Sequence, residues 1–385
     1  MKRTSQIFMV VVLAALLAVL CWTFRLRAAG EPARETEPPA SEAETQEWWA
    51  DMPSTVPDSP PPATEAPETP PPTPTPEPEY YSLHFVGDCT LASLPGFPGG
   101  YAEVVGDDYA YPFAETLDYF RDDDFTFANL EVALTESDVY VNKTYRFKAP
   151  AEYAKILTEG SVEFATLANN HVLDYGQQGY DDTKAAVAAE GIAYAGRDEW
   201  AVYETARGLK IGVYAVSFGT VDQIRAGIAA VQDAGADFVI AALHWGDEGS
   251  YRANADQITQ GRAAIDAGAD FVYGSHPHTL QPVEEYNGHY IYYSMGNWTF
   301  GGNTNPRDKD TLILHMTLRV DPDGSVTVAE LENIPCSCSG TDNSNNYQPV
   351  PLEPGSERYE RVLSKLDGTF TGANLSIGYG YSANE

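Results

Sequence analysis

The stretch LANNHVLDYG, Leu167 to Gly176, ends an apolar run, VEFATLA, that extends from Val162 to Ala168. An apolar run of this length with polar boundaries suits a strand covered on both faces. It stops at Asn169, Asn170 and His171. Polar, metal-competent side chains at the carboxyl end of a buried strand fall where α/β sheets place their ligands. Three other stretches repeat the arrangement: FVGD ending at Asp88, IAALHWG around His244, and FVYGSHPH around His276 and His278. The repetition predicts that these strand ends converge on one site.

Strands and helices alternate outward from that stretch. Strands are expected at Ser82–Asp88, Phe125–Glu131 and Val162–Asn169. Helices are expected at Pro112–Asp122, where proline suits the first turn, at Ala151–Glu159, and at Gln177–Glu190 with Gly191 as C-cap. A hairpin joins Val202–Thr205 to Lys210–Ser217 through Arg207-Gly208. The heptapeptide DAGADFV occurs twice, at Asp233–Val239 and Asp266–Val272. Each copy closes a helix at glycine and opens a buried strand that delivers histidine, so one supersecondary unit is used twice. The last third reads as β-rich, with strands at Pro282–Tyr286, His289–Ser294, Thr311–Val320 and Ser325–Ile334. The tail beyond Gly355, with a helical patch at Glu357–Leu366, is expected to be peripheral.

The formal net charge of the 385-residue chain is -33. An excess of acid on this scale excludes nucleic acid as a partner, because that contact relies on Lys and Arg. An anionic substrate would need a local cation. Lys2 and Arg3 precede an apolar stretch, Ile7 to Phe24, long enough to approach a bilayer span. It reads as an uncleaved signal-anchor followed by Arg25 and Arg27, with a cleavable signal peptide as the competing reading. Residues 31–79 are rich in Pro and Glu, with few aliphatic side chains. They read as a disordered stalk favouring polyproline II, on the order of 100 Å long at about 3 Å per residue. Cysteine is too scarce for a disulfide framework. Cys336-Ser337-Cys338 is a metal pair, a local disulfide or an incidental loop feature.

The residues able to do chemistry are Asp88, Glu131, Asn170, His171, His244, His276 and His278. Each has a plainer role open to it. Asp88 could cap a helix, Glu131 could be a surface charge, Asn170 could make a turn, and His244 could be a hydrogen-bonded core histidine. Together they are less ordinary, since four of the seven histidines sit just beyond apolar strands. Carboxylates, an amide oxygen and imidazoles suit manganese, iron(II) or zinc, not calcium. The lack of cysteine ligands points to an open catalytic site. Two ions sharing a carboxylate would meet the needs of phosphoester cleavage, with His171, backed by Asp174, able to protonate a leaving group. A serine nucleophile is disfavoured, because no Gly-x-Ser-x-Gly elbow is present.

FVGD, ANLEVALT, LANNHVLDYG, ALHWGDE, GSHPHTLQPVE and YSMGNWTF, in this order, resemble the signature of the CapA family of bacterial poly-γ-glutamate capsule synthesis. The resemblance implies an α/β fold, a layered sandwich like that of the calcineurin-like metallophosphoesterases. It makes Asp88 a ligand of a first metal and Glu131 the bridging carboxylate. Asn170, His244 and His276 would serve a second metal, His278 would return to the first, and His171 would be the acid. Two departures stand out. Thr90 lies where metallophosphoesterases have a histidine, and the bridging position carries Asn129-Leu130-Glu131 in place of a Gly-Asp pair. Gln281, Glu284, Ser294 and Asn297 lie in the motifs without an assignable role.

The expected organisation is a signal-anchor over 1–30, a linker over 31–79, a CapA-like domain over 80–335 and a C-terminal extension over 336–385. The expected function is extracytoplasmic, at the cell membrane. It is synthesis or attachment of poly-γ-glutamate or a related surface polymer, with a divalent metal used for hydrolysis or transfer on an anionic polymer or phosphoester. Capsule-synthase membrane subunits are the expected partners. The alternatives are a non-catalytic assembly subunit of a membrane synthase and an exported metal-dependent phosphoesterase.

Overall fold

A computed structural model of the chain describes residues 77–375. The expected signal-anchor lies outside the described residues, as does all but the last few residues of the linker. No helix among the described residues is long and apolar enough to cross a membrane.

β1 (Glu79–Thr90) and β2 (Phe125–Leu130) run parallel. A short ribbon of β3 (Ala133–Leu134) and β4 (Lys148–Ala149) follows, then β5 (Phe164–Thr166) and β6 (Ala193–Ala195), which extend the parallel set. β7 (Glu199–Glu204) forms the expected hairpin with β8 (Lys210–Ser217), and β9 (Phe238–His244) and β10 (Phe271–Ser275) add to β8 in parallel. β11 (Val283–Tyr286) and β12 (His289–Tyr292) complete this second sheet, in the order β11-β12-β10-β9-β8-β7. β13 (Asn297–Phe300) returns to β1. β14 (Asp310–Val320), β15 (Val326–Ser337) and β16 (Val350–Pro351) then extend the first sheet antiparallel, giving β16-β15-β14-β1-β2-β5-β6.

The two sheets lie face to face. Leu83, Phe85, Phe125, Phe127 and Phe164 of the first sheet share a buried core with Ile211, Val213, Ile240, Phe271 and Tyr273 of the second. Side chains alternate along each strand, so Val86, Ala128 and Ala165 face the opposite way. They pack under α1 (Tyr101–Val105), α2 (Leu117–Phe120), α3 (Lys155–Glu159) and α4 (Gly176–Ala189). On the far face of the second sheet, Tyr214, Val239, Ala241 and Val272 meet Ile224, Ile228 and Val231 of α5 (Val221–Asp233) and Ala264 and Ile265 of α6 (Ala255–Asp266). Both of these helices open with a capping box, Thr220 with Gln223 and Asn254 with Gln257, which satisfies the first free backbone donors. The result is a helix-sheet-sheet-helix sandwich, a mixed α/β architecture with layered sheets. Strands buried on both faces explain the near-continuous apolar runs in the sequence.

Three local expectations differ from the structure. The helix expected at Pro112–Asp122 is broken into a 3-10 turn at Tyr111–Phe113 and α2, because Phe113 and Phe120 both turn onto Trp298. The strand expected over Val162–Asn169 covers only Phe164–Thr166, because the Thr166 hydroxyl and the Leu167 carbonyl accept from the next amides and bend the chain. The tail is not peripheral. β15 continues to Ser337, and α7 (Glu357–Leu366) buries Val362 and Leu366 in the intersheet core. Cys89, Cys336 and Cys338 are free and buried.

Close backbone contact fixes the end of β1. The Asp88 amide donates to the Gly296 carbonyl at 2.9 Å. A Cβ on Gly87 would stand 2.1 Å from that same oxygen. Backbone cannot step aside as a flexible side chain can. Gly87→Ala is therefore expected to destabilise the fold by about 3 kcal/mol or more, above the usual cost of overpacking. Urea unfolding of the two proteins checks this.

Candidate metal centre

Parallel pairing brings the strand ends into register. Asp88 lies beside Asn129, and Ser217, His244 and Ser275 line up across the second sheet. The two sheets deliver these ends to one edge of the sandwich. Asp88, Glu131, His244 and His276 are buried there, with His278 nearly so. Two groups of three could each hold a metal ion: Asp88, Glu131 and His244, and Glu131, His276 and His278. Glu131 belongs to both.

Local contacts hold each side chain in place. Asn129 Nδ2 donates to Asp88 Oδ1 at 2.8 Å and reaches Glu131 Oε2 at 3.4 Å. His278 Nδ1 lies 3.2 Å from Asp88 Oδ2 and 2.9 Å from Asn297 Oδ1. His244 is set by Ser275 Oγ at Nδ1 (2.9 Å), and its Nε2 meets Asn170 Oδ1 at 3.0 Å and stands 3.6 Å from Glu131 Oε1. The His276 ring packs 4.8 Å from that of His244. His276 and His278 both adopt positive φ, 97° and 57°. Such conformations are strained for residues with a Cβ and collect at functional sites.

The donors fit a divalent cation. Glu131 Oε1 and His276 Nδ1 are buried and accept or donate no hydrogen bond, and orphaned polar atoms of this kind are costly. Burial and then the neighbouring Asp88 push the Glu131 carboxyl well above the usual carboxylate range. Burial holds His244 well below its ordinary value and His276 down to about 3. His278 goes the other way. Burial alone would lower it, but Glu131 and Asp88 raise it to about 10. A metal ion would favour Asp88 and Glu131 together as carboxylates, a state that burial and their mutual repulsion disfavour without one.

His171 stands beside the cluster. Its Nδ1 meets Asp174 Oδ2 at 2.7 Å and Lys143 Nζ at 3.2 Å, with the Phe147 ring 4.7 Å away. Burial lowers its pKa, and Asp174 partly restores it. Lys143 also forms an ion pair with Asp174 at 2.5 Å and donates to the Asn170 carbonyl. A cavity of about 260 Å³ opens over these groups, lined by Lys143, Tyr145, Asn170, His171, Glu248 and His278 among others.

All eight residues singled out from the sequence thus lie around one edge of the sandwich. Thr90, at the position usual for histidine, is buried with its hydroxyl unpartnered. Sequence reasoning missed Lys143, Glu248 and Ser275, and gave no role to Asn129. Asn129 had a signal, since it lies two residues before Glu131 on the same strand face. Lys143 had none, because it comes from an irregular loop.

A family model described as bacterial capsule synthesis protein PGA_cap matches residues 82–302. The PGA biosynthesis protein CapA of Bacillus subtilis is 30% identical over 315 residues, covering 74% of this chain and 77% of that protein. The capsule biosynthesis protein CapA of Bacillus anthracis is 28% identical over 243 residues, 54% of this chain and 58% of its own length. Among solved structures, the NAD nucleotidase of Haemophilus influenzae aligns over 76% of this chain and 56% of its own, at 11% identity and a TM-score of 0.39. That level of likeness carries no argument about activity. The family match, spanning more than half of the sequence, and the identity with the B. subtilis protein make this chain a member of the bacterial capsule synthesis protein family PGA_cap.

Proposed function

We propose that this chain is a CapA-like protein, held at the cell membrane by its N-terminal segment with the folded part outside. In this reading it takes part in making or attaching poly-γ-glutamate or a related surface polymer, with a metallophosphoesterase-like site. The reaction is hydrolysis or transfer at a phosphoester or a γ-glutamyl amide, and capsule-synthase membrane subunits are the partners. The observation that carries the catalytic reading is Glu131, buried beside Asp88 with one oxygen unpartnered and shared by two groups of potential ligands. Asp88, Glu131, Asn170, His244, His276 and His278 would hold one or two ions of manganese, iron or zinc. Bound there, a divalent ion supplies Lewis acidity and a nucleophile at neutral pH. The chain's own residues do the rest. Asp174 fixes the His171 ring through Nδ1, leaving Nε2 to hold or deliver a proton. Lys143 fixes Asp174 in turn.

Metal analysis of the purified chain, then assays on a generic phosphodiester and on a γ-glutamyl oligomer with and without each metal, tests the reading. Bound metal and turnover lost in His276→Ala support it. A chain that binds none of the three metals and is unaffected by His276→Ala overturns it. Asp174→Asn is expected to lower kcat by about 10- to 100-fold with KM little changed. Because Asp174 raises His171 against the lowering effect of burial, its removal moves the limb of the pH–rate profile set by His171 to lower pH. A second reading, a non-catalytic assembly subunit, is favoured by Thr90 in place of a histidine ligand. Polymer production that survives His276→Ala in cells would select it. Membrane fractionation of the full chain, compared with one lacking residues 1–30, tests the anchor.

A further inference from the structure

A second cavity, of about 290 Å³, shares no lining residue with the first and is walled by Arg307, Lys309, Asp342, Arg358 and Arg361. The chain has 23 Lys and Arg against 56 Asp and Glu, yet four of the 23 line this one cavity. The fold assembles them from the turn before β14 and the first turns of α7, and the loop after β15 adds Asp342. Lys309 is buried, and its Nζ donates to Asn305 Oδ1 (2.8 Å) and the Asp342 carbonyl (2.6 Å). Arg358 donates from Nη2 to Ser337 Oγ at 2.6 Å and reaches Asp342 Oδ1 from Nη1 at 3.4 Å. Arg361 spends Nε and Nη2 on Asp310, at 2.7 and 2.6 Å. These bonds fix the guanidinium planes and leave Arg361 Nη1 and Arg358 Nε without a hydrogen bond among the described residues.

Asp310 serves Arg361, with Asp308 and Glu357 also close to it, and Asp342, with a side chain 84% exposed, faces Arg358. Burial, with Arg358 adding to it, lowers the Lys309 pKa, the condition an anion in the cavity would relieve. We propose that this cavity binds an oxyanion, a carboxylate or phosphate group of an acidic ligand, held by the remaining donors, Arg361 Nη1 and Arg358 Nε, and by the ammonium of Lys309. Planar guanidinium groups match both oxyanions in the same way. A local excess of cations on so acidic a chain draws in a ligand that the rest of the surface repels.

The proposal does not depend on catalysis at the metal centre. Calorimetric titration of the full chain with inorganic phosphate, and separately with a γ-linked glutamate trimer, tests it and distinguishes the two sources. The expected result is saturable one-to-one binding of at least one of them, about tenfold or more weaker in Arg358→Gln. Asp342→Asn, which removes the competing carboxylate from an exposed position, should bind more tightly. Thermal melts confirm that both variants are folded. No saturable binding by either ligand, or equal affinity in the original chain and in Arg358→Gln, overturns the proposal. So does loss of the binding in His276→Ala, which would place the anion at the metal centre instead.

Discussion

Glu131→Gln is expected to abolish the rise in Tm that manganese, iron or zinc gives the original chain, while leaving the Tm of the metal-free protein nearly unchanged. Two opposing effects lead to this. Glu131 is buried beside Asp88, and burial followed by that neighbour raises its pKa well above the usual range. Without metal the upward shift favours the protonated acid over the carboxylate, and glutamine matches the size and hydrogen-bonding shape of that acid. With metal the comparison reverses, because Glu131 belongs to both groups of potential ligands and a neutral amide is a poor substitute for a shared carboxylate. Loss of partners around a ligand already costs 10- to 100-fold in affinity, so loss of the shared ligand itself should cost more than about 100-fold. At a metal concentration of about 100 times Kd, binding stabilises a fold by about 2.7 kcal/mol, and that increment should vanish. Thermal melts over a metal series measure both halves. A variant that still gains stability from metal removes Glu131 from the centre, and one that melts far lower without metal assigns it a structural role.

The parts of this centre that were legible in the sequence are those governed by strand ends. FVGD, IAALHWG and FVYGSHPH each give a continuous apolar run that stops at a polar side chain, and the parallel pairing of β1 with β2 and of β8, β9 and β10 brings those stops together. The twin DAGADFV segments were readable for the same reason, since each helix end and strand start is a local event. What was not legible depends on contacts distant in sequence. Lys143 reaches Asp174 across a loop with no periodicity, and Glu248 enters the cavity from the turn after β9. The break between Phe113 and Phe120 follows from Trp298, nearly 180 residues later. Local propensity over Pro112–Asp122 favoured one helix, and tertiary packing overrode it. The tail shows the same limit. The helical patch at Glu357–Leu366 was readable and coincides with α7, but the surface it would cover was not.

That surface leads to the second large effect, at Asp310. The side chain is 0% exposed, and its two oxygens accept from Arg361 Nε and Nη2 and from Lys365 Nζ. Lys365 is itself almost fully buried and also donates to Asp308 at 2.6 Å. Through these bonds α7 is clamped to the start of β14, which positions Val362 and Leu366 in the intersheet core. Asp310→Ala removes one partner from a buried ionic group and leaves the ammonium and guanidinium facing each other. Breaking a buried pair in this way costs about 3–5 kcal/mol, and with α7 loosened the Tm should fall on the order of 10 °C. The pH dependence has a definite sign. Burial alone would raise the Asp310 pKa, but the bonds from Arg361 and the charge of Lys365 hold it below its ordinary value. A group whose folded pKa is depressed contributes stability above its unfolded value and loses it as pH falls through the folded one. The gap between the original chain and Asp310→Ala should therefore be full at neutral pH and narrow only below about pH 4. Urea unfolding of both proteins at neutral pH and near pH 3 measures it. A gap that is small at neutral pH, or that widens in acid, would show that α7 is held by its apolar face alone and that the buried charges contribute no net stability.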